Sequence, residues 1–309
     1  MTVLDRITDL SLVPGPAVLA IGVFDGLHLG HRAVLQRALD AAQKLHGTPV
    51  AVTFDPHPAR TLRPGSSPRI LTATPHKIRL LSGMGFCHTL VIRFDAAFAS
   101  TEADDFLAAL VTAANPLGAV VVGCGWTFGH GRRGTVELIR QTGAKHGFFA
   151  FEVPSVDAGG SLVSSTRVRA AVERGDLAEA ALCLGRPYSV LGTVVEGRKL
   201  GRTIGFPTAN LRAYSEQFPP DGVYAVRATW DNTSKTAVAN IGVRPTLKSD
   251  GERTLEVHIP GFSGDLYGRD MEIVFLEFLR PEQKFSSVEE LSRQIGEDVR
   301  KVIERMPAQ

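Results

Sequence analysis

Two histidines three residues apart, His28 and His31, lie in Phe24-Asp25-Gly26-Leu27-His28-Leu29-Gly30-His31, a stretch that runs from an apolar segment straight into a helical pattern. A helix N-terminus offers unpaired N–H donors and partial positive charge, and glycine lets the backbone approach closely. The pattern therefore describes a phosphate cradle, in which the imidazoles donate to phosphate oxygens as charge builds in a transition state. Two other readings fit the same residues. Asp25, His28, His31 and His57 can be drawn as zinc ligands, although they match no standard zinc spacing, and two histidines at a helix cap can be plain surface residues. A second helix start, Val163-Ser164-Ser165-Thr166-Arg167-Val168-Arg169, brings hydroxyls, N–H groups and a guanidinium suited to the β- and γ-phosphates of a nucleotide, and by itself is an ordinary capped helix.

The densest cluster runs from Gly192 to Asn210: a strand, a glycine-rich basic loop carrying Gly197, Arg198, Lys199, Gly201, Arg202 and Gly205, then Pro207-Thr208-Ala209-Asn210. Loop N–H groups can wrap phosphates, while Thr208 and Asn210 offer neutral oxygen ligands to a hard, partly hydrated Mg²⁺. A hairpin loop with turn residues explains the glycines but not the Pro-Thr-Ala-Asn. Gly129-His130-Gly131-Arg132-Arg133-Gly134 satisfies GxGxxG ahead of a helix, with Glu152 and Asp157 further on, yet Gly125 to Phe128 separate it from the preceding strand, so a Rossmann dinucleotide fingerprint is discounted. The chain contains no Walker-type Gly-x4-Gly-Lys-Ser/Thr loop.

These clusters need rigid elements to hold them. Residues 1–184 alternate short apolar runs (17–24, 49–54, 89–94, 119–123 and 148–153) with amphipathic segments, the punctuation of βαβ units, and five strands apolar without alternation suit a parallel sheet covered on both faces. Helix ends are signalled by Gly47 after residues 32–46, by Thr74-Pro75, and by Thr101 with Asp104 as a capping box. From Pro187 onward the strands alternate polar and apolar residues (190–195, 223–230, 237–241, 254–259 and 271–278), which reads as a small antiparallel β-barrel. Ser286 or Ser287 caps a last helix whose Val288, Leu291, Ile295, Val299 and Ile303 recur at helical spacing and would lie against that barrel. The two domains are thus placed at residues 1–184 and 185–309. In the strand over 254–259, Glu256 and His258 share one face.

A length of 309 residues suits two domains, each with its own core. The 34 basic and 32 acidic residues give a net charge of +2 with no long single-sign run, which argues against a polybasic nucleic-acid or membrane-surface protein. Hydrophobic content of 44% excludes disordered and fibrous classes. Cys87, Cys124 and Cys183 are too few and too scattered for a disulfide framework or a thiolate zinc site, so a reducing cytoplasm is expected. Asp5, Arg6 and Asp9 interrupt the apolar core a signal peptide would need, and no apolar run reaches membrane-spanning length.

The HxGH signature after the first strand, paired with the SSTxxR signature after the last, resembles the nucleotidylyltransferase superfamily. Thr53-Phe54-Asp55-Pro56-His57-Pro58 and Arg69-Ile70-Leu71-Thr72 narrow the resemblance to the FAD synthetase module of prokaryotic bifunctional riboflavin kinase/FAD synthetases. The block from Gly192 to Asn210 is similar to the riboflavin kinase domain. So are Pro220-Asp221-Gly222-Val223-Tyr224, Asn240-Ile241-Gly242-Val243-Arg244-Pro245-Thr246, Leu255-Glu256-Val257-His258 and Leu266-Tyr267-Gly268, and the two resemblances together span nearly the whole chain. One block departs from the pattern. Gly123-Cys124-Gly125-Trp126-Thr127-Phe128-Gly129 stands where the family usually shows GxDFRFG, so the acidic or amide residue is Gly125 and the basic one Thr127, a difference that bears on how flavin or acceptor phosphate is positioned.

The resemblance implies a Rossmann-like doubly wound parallel sheet followed by a β-barrel with a C-terminal helix, and two MgATP-dependent steps: riboflavin to FMN in the barrel, then FMN to FAD with release of pyrophosphate in the α/β domain. It implies His28 and His31 as catalytic groups and nucleotide contacts from Gly22, Phe24, Asp25, Gly26 and Gly30, from Asp55 and His57, and from Ser164, Ser165, Thr166 and Arg169. In the barrel it implies Glu256 as the base taking the proton of the riboflavin 5′-hydroxyl and Asn210 as a catalytic partner. It also implies Gly197, Gly201, Arg202, Gly205 and Pro207 around ATP, and Thr208 and Asn210 on Mg²⁺. The partners expected are riboflavin, FMN and ATP, with no nucleic acid or membrane, in a cytoplasmic monomer or weak homo-oligomer. A kinase that has lost adenylylation, and a flavin- or nucleotide-binding regulator without turnover, are the alternatives.

Overall fold

The computed structural model describes residues 1–197, 201, 204–243 and 253–306. Arg202, like Arg198, Lys199 and the Arg244-Pro245-Thr246 stretch, lies outside the described residues. The chain forms two compact units, Met1–Ile70 with Thr74–Ser165, and Leu71–Ala73 with Thr166–Gln309.

In the first unit six parallel strands, β1 (Thr2–Leu4), β2 (Ala17–Ile21), β3 (Thr48–Asp55), β4 (His88–Arg93), β5 (Leu117–Gly123) and β6 (Phe149–Val153), lie in the order β1-β4-β3-β2-β5-β6. The Ala-Val-Leu-Ala-Ile of β2 is buried throughout. Ala17, Leu19 and Ile21 belong to one core cluster and Val18 and Ala20 to another, as the two faces of one pleat must. The second cluster is closed by the Val34, Leu35, Ala38, Ala41 and Ala42 stripe of α1 (Leu29–Lys44). Strand order reverses between β2 and β5, and a doubly wound sheet opens a crevice at that switch, outside the carboxyl ends of those strands. The loops that leave β2 and β5 there are residues 22–28 and 124–129.

The sequence pattern anticipates five of these strands. Thr2–Leu4 is too short and edge-placed to show a period, and the residue 17–24 run ends as a strand at Ile21 because Phe24 turns to φ 52°. The capping box at Thr101 does not form: Glu102 is the N-cap of the helix Ala103–Ala113 and makes no side-chain cap.

A two-stranded antiparallel hairpin, β7 (Asp157–Ala158) and β8 (Ser161–Leu162), follows β6. In the second unit a closed barrel runs β10-β13-β12-β11-β14-β9, with β9 (Ser189–Val195), β10 (Thr208–Ala213), β11 (Gly222–Trp230), β12 (Thr233–Val243), β13 (Arg253–His258) and β14 (Asp270–Arg280). The strand that closes it, β10, is the Pro-Thr-Ala-Asn segment itself. Its polar composition hides a strand whose pairing to β9 and β13 decides the matter. The last helix, Val288–Arg305, is capped by Ser287, whose hydroxyl accepts from the Glu290 N–H at 3.2 Å. Val302, Val299 and Met306 pack on Val223, Ala225 and Val238 of the barrel. Val288 and Ile303 are exposed, so the buried stripe sits one residue from the one that spacing suggested at its C-terminal end. Asp298 is 2% exposed and takes both Nε and Nη2 of Arg280, at 2.9 and 2.8 Å.

Candidate active sites

At the switch point the chain leaves β2 through a bent loop, with Phe24 at φ 52°, Gly26 at 89° and Leu27 at 44°. Two non-glycine residues in the left-handed region cost about 1–3 kcal/mol each and need surroundings that over-determine them. Those surroundings are present. Phe24 and Leu27 are buried, Thr53 Oγ1 donates to the Val23 carbonyl at 3.0 Å, and Ser165 Oγ donates to the Asp25 carbonyl at 2.9 Å. The second contact lies within the first unit, whose last residue is Ser165; Thr166 and Arg169 fall in the second.

His28 is the N-cap of α1 and is buried, and its Nδ1 accepts the His31 N–H at 3.3 Å. Accepting requires a lone pair on Nδ1, which leaves the neutral ring's proton on Nε2 as a donor. The two imidazoles stack with centroids 3.6 Å apart, and Phe24 stands edge-on to His31 at 5.5 Å. The His31 ring is held well below the usual histidine range by burial first, then by His28 and by Lys77, so it is neutral at pH 7. Its Nδ1 is buried with no hydrogen-bond partner among the described residues.

Lys77, on the helix Thr74–Gly83, is 4% exposed and donates to the Val23 carbonyl at 2.7 Å and to Thr53 Oγ1 at 3.0 Å. Burial lowers it to about 8, against the opposing pull of Asp25 and Asp55. No motif pointed to this residue. The available signal is that Lys77 and Leu81 share the buried face of that helix at i, i+4 spacing.

His57 accepts the Ala59 N–H at 3.1 Å, capping the short helix Pro58–Leu62. Among the described residues no group of three or more His, Cys, Asp and Glu side chains gathers as a metal site. The GxGxxG stretch forms a 3-10 turn at His130–Arg132, closed by a Phe128–Gly134 bridge, and the next helix starts later, capped by Thr135.

Beside the loop lies a cavity of about 160 Å³ walled by Phe54, Phe94, Phe98, Trp126 and Phe128, with Thr127 and Arg132 at its polar edge. Trp126 and Phe128 stack at 4.7 Å. Arg132 donates from Nε to Thr127 Oγ1 at 2.9 Å, so a guanidinium from five residues on reaches the position where the sequence carries Thr127. Sequence reasoning missed this aromatic cavity, because its walls come from three segments far apart in sequence.

In the barrel, Asn210 of β10, Glu256 of β13 and Asn240 of β12 form one rung across three adjacent strands. Glu256 thereby lies between two carboxamides, and Asn240 Nδ2 donates to Glu282 at 3.1 Å. Thr208 and His258 form the pair two residues along. His258 Nδ1 lies 2.9 Å from the Pro207 carbonyl and its ring meets Phe206 edge-on at 5.3 Å, which holds the start of β10 in place. Gly197 passes directly over Asn210: a Cβ there would stand 2.2 Å from its Nδ2 and 2.4 Å from its Cγ. At Gly201 a Cβ would meet the Phe206 carbonyl at 2.2 Å. A larger cavity of about 540 Å³, largely apolar, is lined by Val194, Pro207, Thr208, Val257, Phe262 and Tyr267.

A family model described as FAD synthetase matches residues 11–167, and one described as riboflavin kinase matches residues 184–306. The bifunctional riboflavin kinase/FMN adenylyltransferase of Escherichia coli strain K12 is 38% identical over 300 residues, 96% of each chain. The protein of the same name from Pseudomonas fluorescens is 37% identical over 282 residues, 91% of this chain and 90% of that one. A Streptococcus pneumoniae crystal structure solved under the name macrolide-efflux protein is 32% identical, covers 97% of this chain and 98% of its own, and superposes with a TM-score of 0.81.

Proposed function

The chain belongs to the bifunctional riboflavin kinase/FMN adenylyltransferase family, and from that premise we propose which residues carry each step. ATP and riboflavin yield FMN and ADP in the C-terminal riboflavin kinase domain; ATP and FMN yield FAD and pyrophosphate in the N-terminal FAD synthetase domain. The functional boundary is set at 184/185, supported by the kinase family model beginning at residue 184.

For adenylyl transfer, the attacking FMN phosphate is already an anion and needs no base. The demand is to stabilise charge on the α-phosphate of ATP, met by His28 and His31 as neutral donors and by the N-terminus of α1. Gly22, Phe24, Asp25, Gly26 and Gly30 shape that cradle, and Asp55 and His57 flank it. The motif residues Ser164, Ser165, Thr166 and Arg169 are assigned to the departing pyrophosphate. The cavity walled by Phe54, Trp126 and Phe128 takes the flavin ring, with Arg132 supplying the charge that Thr127 lacks.

For phosphorylation, Glu256 takes the proton of the 5′-hydroxyl as that oxygen attacks the γ-phosphate and ADP leaves. Gly197, Gly201, Arg202, Gly205 and Pro207 surround ATP, with the apolar cavity beside Thr208 for its base. The donor set suits Mg²⁺: Thr208 and Asn210 offer neutral oxygens on one strand face, and the space over Asn210 is one that a single methyl would fill. Bound there, Mg²⁺ would neutralise phosphate charge. We further assign the protein to the cytoplasm as a monomer or weak homo-oligomer without nucleic-acid or membrane partners. No helix among the described residues is long and apolar enough to cross a membrane.

The observation that carries the assignment is that each signature converges on its own constellation: the stacked His28–His31 pair at a sheet switch point, and the Asn210–Glu256–Asn240 rung. The test is chromatography of flavins after incubation with ATP and Mg²⁺, starting once from riboflavin and once from FMN. His31→Ala should lose FAD formation by roughly 10²–10³ and keep FMN formation; Asn210→Ala should do the reverse when FMN is supplied. Loss of both activities in either folded variant would sink the two-site assignment.

A further inference from the structure

Lys77 is a buried cation with no part in either signature. Its ammonium reaches from a separate helix to the Val23 carbonyl near the start of the histidine loop, at 2.7 Å, and to Thr53 Oγ1 at 3.0 Å, and Thr53 donates to the same carbonyl. One carbonyl thus receives two donors just ahead of the loop's two strained non-glycine residues, Phe24 and Leu27. Burying an ammonium is costly unless it is paired and hydrogen-bonded, so a lysine kept in this place has to repay its desolvation. Structural pinning alone needs only a neutral donor such as the Thr53 hydroxyl already present. What the ammonium adds is charge.

We propose that Lys77 is a positioning residue for adenylyl transfer, clamping the Val23 carbonyl and so the loop that carries His28, while holding a fixed positive charge behind the histidine pair. The inference rests on this site being the adenylyl-transfer site. Asp25 and Asp55 face Lys77, and His28 and Lys77 face His31. The arrangement divides two duties that one imidazolium would otherwise perform together. The rings stay neutral with their donors aimed by stacking, and the positive potential comes from a group that never needs to meet the phosphate. A charge fixed before the reaction costs no reorganisation as the transition state forms.

The test uses the full-length protein and three readouts: FAD formation from FMN, FMN formation from riboflavin, and the titration of His31 by NMR with labelled histidine. Lys77→Met keeps length and removes charge. FAD formation should fall by roughly 10²-fold, in kcat more than in KM, with FMN formation unchanged. The His31 midpoint should move upward, because the cation opposing its protonation is gone. In the unaltered protein kcat/KM for FMN adenylylation should decline above pH about 8, where Lys77 loses its proton. In Lys77→Arg, whose guanidinium stays charged, that decline should move upward by at least one pH unit.

Wild-type kcat in Lys77→Met, or an alkaline limb that Lys77→Arg leaves in place, overturns the inference. Should Lys77→Met fail to fold its unit, seen as lost dispersion of the histidine signals with FMN formation intact, the arginine profile decides alone. Retention of FAD formation in His31→Ala would instead overturn the adenylyl-site assignment, a failure that the His31 titration in Lys77→Met does not share.

Discussion

Gly197→Ala is the smallest change that should disable one activity of this protein and leave its fold and its other activity alone. The added Cβ would stand 2.2 Å from Asn210 Nδ2, 2.4 Å from Cγ and 2.6 Å from Oδ1. Unbonded heavy atoms settle near 3.5 Å, so the carboxamide must retreat by about 1 Å or more. It has a way out, since what blocks the methyl is a rotatable side chain and not backbone, and the cost in stability should be about 1 kcal/mol or less. The same movement withdraws the oxygen proposed for Mg²⁺ from its rung beside Glu256. Phosphoryl transfer depends almost wholly on positioning, and a misplacement of about 1 Å costs on the order of 10² in rate. The expected result is therefore FMN formation down about a hundredfold, melting within a few degrees of the unaltered protein, and undiminished FAD formation from supplied FMN. Each quantity is read by flavin chromatography and a thermal scan on one preparation. Unchanged FMN formation in Gly197→Ala would refute the reasoning, because the methyl has no room unless Asn210 moves.

Three further outcomes are expected. Arg132→Ala should raise the KM for FMN in adenylylation by about tenfold, the worth of one charge-assisted hydrogen bond, with no effect on riboflavin phosphorylation; steady-state kinetics from both flavins checks it. Because the folded-state pKa of His31 lies below its unfolded value of 6.5, the unfolded chain binds a proton that the folded one does not as pH falls through that value. Stability of the first unit should then be flat between about pH 7 and 8, below the range where Lys77 titrates, and drop below 6.5 by at most about 1.4 kcal/mol per pH unit, with His31→Gln showing less of the drop in urea titrations followed by Trp126 fluorescence. Asp298→Ala leaves Arg280, itself only 13% exposed, without its carboxylate, and should destabilise the barrel unit by about 3 kcal/mol in the same kind of titration while the first unit unfolds unchanged.

The parts legible in the sequence were those in which local chemistry and local geometry coincide. The Gly22–His31 stretch could be read as a helix start bearing two paired imidazoles because the helix N-terminus and both side chains sit within ten residues of each other. The Glu256 face could be read because a strand fixes alternation. What could not be read was assembled across the chain. The aromatic cavity draws Phe54 from a strand, Phe94 and Phe98 from the segment after another, and Trp126 and Phe128 from a third, each a plain apolar residue until they meet. The strand Thr208–Ala213 was hidden for a related reason: Ala and Asn carry weak strand preference, and only pairing with two neighbours makes the segment the stave that closes the barrel.

Lys77 shows the same limit from the other side, since a lysine on the buried face of a helix looks like an error of pattern until Val23 and Thr53 are found at its end. The two sites also fall apart by physical principle. Adenylyl transfer between two phosphates needs standing positive potential, and the α/β unit stores it in a helix terminus and a buried ammonium. Phosphorylating a neutral hydroxyl needs a base and room for a cation, and in the proposed assignment the barrel draws both from one rung of three side chains and the missing methyl of Gly197.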